Sequence, residues 1–232
     1  MLDVRSHKDE LLDADDIPAA DLFQNLKELD TINTLLGGYK ISLSALHTVI
    51  QNDKPYTLVD IGCGGGDTLK YIFNWNKGAK KNLSLIGIDI KPVCIEYAKT
   101  NTAKLPIRYI CDDYRCLYEH ESSVDIIHAS LFCHHLTEEQ LVELVTFALK
   151  HKAILIVNDL ERNPIAYYSI KWLTRLFSKS YLVKNDAPLS VARGFKKREW
   201  AAILSKAGAT NFTIKNKWAF RHQVIVYGNK SQ

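Results

Sequence analysis

Two hundred and thirty-two residues, 47% hydrophobic and 24% charged, make a globular chain of one domain with an elaboration and exclude a mainly disordered, collagen-like or disulfide-scaffold protein. No apolar run approaches the roughly 18 to 20 residues of a membrane span, and the start, with 9 acids and 3 bases in residues 1–30, is unlike an export signal. The net charge of +4 thus conceals a basic body, which scattered surface lysines explain more readily than a nucleic-acid partner, and five cysteines without a C-x-x-C pair point to a reducing, cytoplasmic setting without a metal site.

In chain order, Leu22, Leu26, Leu29, Ile32, Leu35 and Leu36 recur at helical spacing until Gly37-Gly38 interrupts them, and a second helix runs on through Val49, so residues 1–54 read as a helical N-terminal cap. Beyond it, apolar β-rich runs at Thr57–Ile61, Ser84–Asp89, Ile107–Cys111, Val124–Ala129 and Ala153–Asp159 alternate with helical stretches. Such near-continuous apolar strands belong to a parallel sheet covered on both faces, and so to an α/β doubly wound domain over 55–228. Phe212–Trp218 and Gln223–Tyr227 are too close for a helical crossover and must pair as an antiparallel hairpin. More than fifty residues separate Asp159 from that hairpin; an apolar helical stripe there, Ile165, Tyr168, Trp172, Leu173, Leu176 and Phe177, reads as an inserted helical lid over 162–195 or as packing on the sheet, ahead of membrane-surface binding through Lys171, Arg175 and Lys179.

The segment Leu58-Val-Asp-Ile-Gly-Cys-Gly-Gly-Gly-Asp67 is a strand ending in an acid, then a glycine loop, then a helix from about Thr68. Gly62 and Gly64 allow backbone angles closed to other residues and let a ligand approach the main chain, where the new helix presents free N–H groups. Two features depart from the dinucleotide fingerprint: Asp67 stands where the third glycine belongs, and Asp60 precedes the loop. The two carboxylates repel a pyrophosphate, which argues against a nicotinamide dehydrogenase, whereas a ligand carrying an ammonium and a sulfonium is attracted to Asp60. Some twenty residues on, Asp89 ends the second strand, where an acid can accept both ribose hydroxyls, and Asp112-Asp113 ends the third, where an acid suits an adenine amino group, with Asp112 favoured.

With these motifs the sequence resembles the class I S-adenosylmethionine-dependent methyltransferases, of the bacterial small-molecule type, from about 55 to 228. The resemblance implies a seven-stranded, mostly parallel sheet ordered 3-2-1-4-5-7-6 with strand 7 antiparallel, and S-adenosyl-L-methionine as cofactor. It places Asp60, Gly62, Cys63, Gly64 and Leu131 around the methionine part, Asp89 and Ile90 at the ribose and beyond, and Asp112 with Asp113 at the adenine. The Leu29–Tyr39 segment, with its Gly37-Gly38, looks like the leader of the same small-molecule group. After the fourth strand, Leu131-Phe-Cys-His-His-Leu136 crosses the crevice mouth, and Thr137 with Glu139 and Gln140 reads as the cap of the next helix. His134 or His135 is a candidate general base there, the other packing or bonding the backbone, and Asp159 can orient the acceptor or assist a histidine. His128, inside the strand, reads as a satisfied core histidine.

Arg193 reads as an anchor for an anionic acceptor or as a surface ion pair, and Trp172 as one of several lid aromatics suited to a ring. The expected activity is transfer of a methyl group to a phenol, hydroxyl or carboxylate of a small molecule, by a monomer or homodimer that needs no metal. Rival readings are an RNA or DNA methyltransferase, disfavoured because Ser130-Leu-Phe-Cys133 stands where an N-P-P-Y type of sequence belongs, and a non-catalytic cofactor-binding partner protein.

Overall fold

The computed structural model describes residues 2–14, 16–51 and 54–228. Helices α1 (Ala19–Leu35) and α2 (Gly38–Val49) precede a βαβ series: β1 (Tyr56–Ile61), α3 (Asp67–Ala79), β2 (Leu83–Asp89), α4 (Pro92–Asn101), β3 (Ile107–Cys111), the single-turn α5 (Leu117–His120), β4 (Ile126–Ser130), α6 (Glu138–Lys150) and β5 (Ile154–Leu160). Helices α7 (Pro164–Phe177), α8 (Tyr181–Arg193) and α9 (Lys197–Lys206) then lead to the hairpin of β6 (Phe212–Lys217) and β7 (Arg221–Val226). The sheet order is β3-β2-β1-β4-β5-β7-β6, with β7 antiparallel to both neighbours and the other neighbouring pairs parallel. This is the seven-stranded doubly wound architecture expected.

Side chains alternate between the two faces of each strand, and that alternation sorts the core. Val59 and Ile61 of β1 join Ile127 and Ala129 of β4 beneath α6 and α9, through Leu141, Leu144, Trp200 and Ile203. Leu58, Leu85, Ile126, Ile156 and Ile225 face the other way, against Ala45, Leu46 and Val49 of α2 and Leu69 and Ile72 of α3. Asp60 shares the parity of Leu58, so its carboxylate turns toward α2. The fourth strand starts two residues later than its apolar run because the Asp125 carboxylate accepts from the Thr57 N–H at 3.0 Å and from Lys54 Nζ at 2.9 Å, capping the strand start with a side chain.

Helix α8 packs on α1 and α7 packs on α8. In α7 only Thr174 is buried, while Ile165, Trp172 and Leu176 are 61–69% exposed. Apart from Leu173, which lines a cavity, the stripe faces outward, and among the described residues nothing covers that outward part. The chain after β5 is held by Arg162, 2% exposed. Its guanidinium donates to Glu199 through Nη1 at 3.0 Å and Nη2 at 2.5 Å, to the Gly194 carbonyl at 2.7 Å and to the Leu2 carbonyl at 3.1 Å. Removing one partner of such a pair strands the other with an uncompensated buried charge. Arg162→Ala is expected to cost about 3 kcal/mol and lower the midpoint of thermal unfolding by about 10 °C, read by calorimetry.

Candidate active site

Two cavities open beyond the carboxyl ends of the strands. The first, of about 390 Å³, is lined by Gly62 to Gly65, Asp67, Asp89, Ile90, Asp112, Asp113 and Phe132. The second, of about 590 Å³, is largely apolar and lies between α1, α7, α8 and the tip of the β6–β7 hairpin. They share four residues: Leu12, Leu29, Leu131 and His135.

In the first cavity the glycine loop is shaped by close neighbours. Gly62 sits at φ +62°, and a Cβ there would come within 2.2 Å of the Phe132 ring. Gly66, at φ +74°, starts α3 where a Cβ would meet the Tyr109 hydroxyl at 2.3 Å. Asp89 accepts from the N–H of Gly64 at 2.9 Å and from that of Lys91 at 3.0 Å, which ties the loop to the end of β2 and leaves further lone pairs for a ligand hydroxyl. Burial raises its carboxyl pKa, against those two donors. Ile90 stands beside it, 66% exposed. Cys63 also lines this cavity, and its N–H donates to the Ile88 carbonyl at 3.1 Å. Asp113 is engaged by Arg115 through Nε at 2.9 Å and Nη2 at 2.6 Å, whereas Asp112 bonds His120 Nε2 at 2.8 Å and accepts from the Asp113 N–H at 2.7 Å.

Asp60 lines neither cavity. Turned toward α2 and 2% exposed, it bonds His128 Nδ1 at 2.6 Å, and His128 Nε2 meets Ser42 Oγ at 2.9 Å. The expectation that Asp60 reaches a cationic ligand directly is thus corrected: its register partner His128 takes it, and it supports the loop from behind. The acids that do face the loop are Asp67 and Asp30 of α1, residues the sequence reading did not assign to this side of the ligand. Burial, with Asp30 beside it, pushes the Asp67 carboxyl up to about 6, while Asn101 Nδ2 donates to it at 2.7 Å. Two carboxylates facing one apolar-rimmed cavity are short of a cation.

Leu131, the residue after β4, is a non-glycine at φ +53°, held there by its N–H donating to the Asn158 carbonyl at 3.0 Å. Backbone in this region is costly for a branched side chain and persists only when its surroundings fix it. The turn that follows delivers two histidines. Buried His134 places Nδ1 2.7 Å from Asp159 Oδ1, and its N–H donates to Asp159 Oδ2 at 3.0 Å. Burial alone would raise the Asp159 carboxyl, but the His134 ring and the hydrogen bonds hold it below its ordinary value. Because an ionised carboxylate only accepts, Nδ1 carries the proton and Nε2 is left as the basic nitrogen. That Nε2 lies 3.7 Å from Glu10 Oε1. His135 has Nδ1 3.2 Å from Asp13 Oδ1 and Nε2 3.9 Å from Glu10 Oε2. Glu10 is 5% exposed, its carboxyl raised by burial, and it accepts from Ser190 Oγ at 2.8 Å.

The N-terminal strap that brings Glu10 here is fixed by polar contacts. Asp186 accepts from the N–H groups of Leu11 and Leu12, both at 2.9 Å, and Arg5 donates to the carbonyls of His134 and Leu136, both at 2.7 Å. Arg193, 7% exposed, donates to the carbonyls of Lys8, His134 and His135 at 2.9–3.1 Å and lines neither cavity. Its expected place against an acceptor is therefore corrected to a clamp on the strap and histidine turn. Trp172 lines neither cavity either, because its face of α7 points outward. Glu10 had no signal in the sequence: it lies in irregular backbone without periodicity. Asp30 and Asn33 did have one, three residues apart on one face of α1 in the Leu29–Tyr39 segment.

Residues 58–151 match a family model described as a methyltransferase domain. No curated protein sequence matches the chain. Among solved structures the chain is similar to plantazolicin methyltransferase BpumL in complex with a monoazolic desmethylPZN analog and SAH, with 18% identity, 90% of each chain covered and a TM-score of 0.65. It is also similar to human N-acetylserotonin methyltransferase in complex with SAM (16% identity, 92% of this chain and 57% of that one, TM-score 0.64). A third is a putative O-methyltransferase from Nostoc punctiforme (14% identity, 89% and 59%, TM-score 0.61). At these identities the likeness is one of fold. The family match over residues 58–151, the sheet order and the acid-tipped glycine loop agree with one another: this part of the chain is similar to a methyltransferase domain, and the fold is that of the methyltransferases named above.

Proposed function

We propose that the protein is a small-molecule O-methyltransferase, with the first cavity for the donor and the second for the acceptor. The observation that carries this reading is the junction of the two cavities at Leu131 and His135, where a chamber bearing several carboxylates meets a more apolar one. The donor set fits S-adenosylmethionine: Asp89 for the ribose hydroxyls, Ile90 against the adenine face, Asp112 and Asp113 for its amino group, and the Asp30 and Asp67 pair for the ammonium. The bound cofactor supplies an electrophilic methyl group on a sulfonium. Everything else falls to this chain's own side chains. Displacement at that methyl requires the acceptor oxygen to be held in line, and the apolar walls keep water away while it is.

His134 Nε2, oriented by Asp159, and His135, oriented by Asp13, are the groups that take the proton of a phenol or hydroxyl at the junction, with buried Glu10 between them to receive or share it. Helices α7 and α8, residues 162–195, act as the lid over the acceptor chamber, and residues 1–54 as the cap. The working form is a monomer or homodimer in the cytoplasm; no helix among the described residues is long and apolar enough to cross a membrane. Nucleic acid fits a chamber of this size poorly. The direct test is methyl release from labelled cofactor into a panel of small phenols, hydroxy compounds and carboxylates; transfer to RNA alone would overturn the reading.

Asp89→Ala is expected to weaken cofactor binding at least about hundredfold by calorimetry, since it removes both ribose contacts and the anchor of Gly64. Replacing His134 and His135 together with Ala is expected to lower kcat by about 10²-fold or more with cofactor affinity nearly intact, and Glu10→Gln to lower it less. Unchanged turnover in the double variant would remove both histidines from the chemistry. Protonation of Asp67 removes an attraction for the cofactor's cation, so affinity should be level above about pH 7 and fall as pH drops through about 6, by about tenfold at pH 5. Asp67→Asn should flatten that profile.

A further inference from the structure

The larger cavity holds a buried guanidinium that forms no ion pair with Glu10, Glu161 or Asp186 of its walls. Arg221, the first residue of β7, is 3% exposed and lies in the cavity wall. Alternation along β7 puts it on the same face as Ile225, toward α2, and its Cζ would stand 2.9 Å from a Cβ at Gly38. The glycine that opens α2 leaves room for the Asn33 side-chain oxygen, which would stand 1.8 Å from such a Cβ, as well as for the guanidinium. Of the five N–H donors of Arg221, Nη1 reaches Asn158 Oδ1 at 3.4 Å and Nε finds no acceptor. Among the described residues no carboxylate forms an ion pair with it. Burial lowers its pKa to about 10, so it is charged at neutral pH.

A second unpaired donor accompanies it: Asn25 Nδ2, in a side chain of a residue 2% exposed, also has no acceptor and also belongs to this wall. Buried charges and amides are ordinarily paired, and an anionic oxygen group held in the cavity can accept from such donors. Asp186, another acid of the cavity, is already committed to the strap. The surrounding wall, with Ile32, Leu36, Ile170 and Leu173, is apolar.

On the reading of this cavity as the acceptor chamber, we propose that the acceptor joins an anionic oxygen group, a carboxylate or phenolate, to an apolar body, and that Arg221 with Asn25 receives that group. Arg221 is then a specificity-determining residue, distinct from the histidines that take a proton. It is also why a chamber so apolar discriminates: a neutral analogue would leave the guanidinium buried and unpaired.

The test is calorimetric titration of decanoate and of its neutral counterpart decanamide into the protein with S-adenosylhomocysteine present, for the wild type, Arg221→Lys and Arg221→Met. Decanoate should bind the wild type at least about tenfold tighter than decanamide. Arg221→Lys should keep part of that preference, and Arg221→Met should lose it while S-adenosylhomocysteine binds as before and thermal stability does not fall. Equal binding of the two probes, no binding of decanoate, or a preference that survives in Arg221→Met would overturn the proposal. Should Arg221→Met fail to fold, the wild-type contrast and Arg221→Lys decide. Loss of S-adenosylhomocysteine binding by the wild type would instead strike the methyltransferase reading.

Discussion

A row of buried polar side chains on the α2 face of the sheet fixes where the site can be. Asp60 of β1, His128 of β4, Ser42 of α2 and Asn158 of β5 form one hydrogen-bonded chain, with Asn158 Nδ2 donating to Ser42 Oγ at 3.0 Å and to the Gly38 carbonyl at 2.9 Å. In an interior of low dielectric each member is costly unless every partner is present, so the row has one arrangement. It joins three adjacent strands and the helix laid over them just below the glycine loop. The main-chain carbonyl of Asn158 then holds Leu131 in its strained conformation, and the Asn158 side chain meets Arg221. Leu131 and Arg221, both touched by this row, line the larger cavity, and Leu131 lines the smaller one too.

The two chambers work by different physics. The first cavity gathers carboxylates from α1, α3 and two strand ends around main-chain N–H groups, which suits a ligand that is cationic at one end and rich in hydroxyls at the other. The second cavity is built from α1, which precedes the sheet, and from α7 and α8, which lie between β5 and the hairpin. Its surface is mostly apolar, with Asn25 and Arg221 among the buried polar side chains of its wall. The strap of residues 5–13 belongs to both, since Leu12 lines each chamber while Glu10 and Asp13 flank the histidines. Arg5, Asp186 and Arg193 hold it there through carbonyl and N–H contacts rather than apolar packing.

What the sequence discloses follows from what is periodic. Near-continuous apolar runs mark the first five strands to within two residues at either end, and the closeness of Phe212–Trp218 to Gln223–Tyr227 dictates the antiparallel hairpin of the last two. Thr137 and Gln140 cap each other as their spacing implies, at 2.8 and 3.2 Å. His128 has both ring nitrogens satisfied, in keeping with its place inside a strand. The direction of the Asp60 side chain was legible in principle, because parity with Leu58 turns it toward α2, yet the motif invites the opposite conclusion. Arg193 and Trp172 could not be placed, since which face of an inserted helix looks inward is set by tertiary contacts. Glu10 and Arg221 were silent for the same reason: both are recruited to the site by packing from far along the chain.

The most direct test of the account is a crystal structure with S-adenosylmethionine bound. The adenosyl group should lie along Ile90 with the ribose hydroxyls on Asp89, and the sulfonium methyl should face the opening at Leu131 and His135 into the larger chamber. A cofactor seated there with its methyl turned away from that opening, or one bound outside the glycine loop, would contradict it.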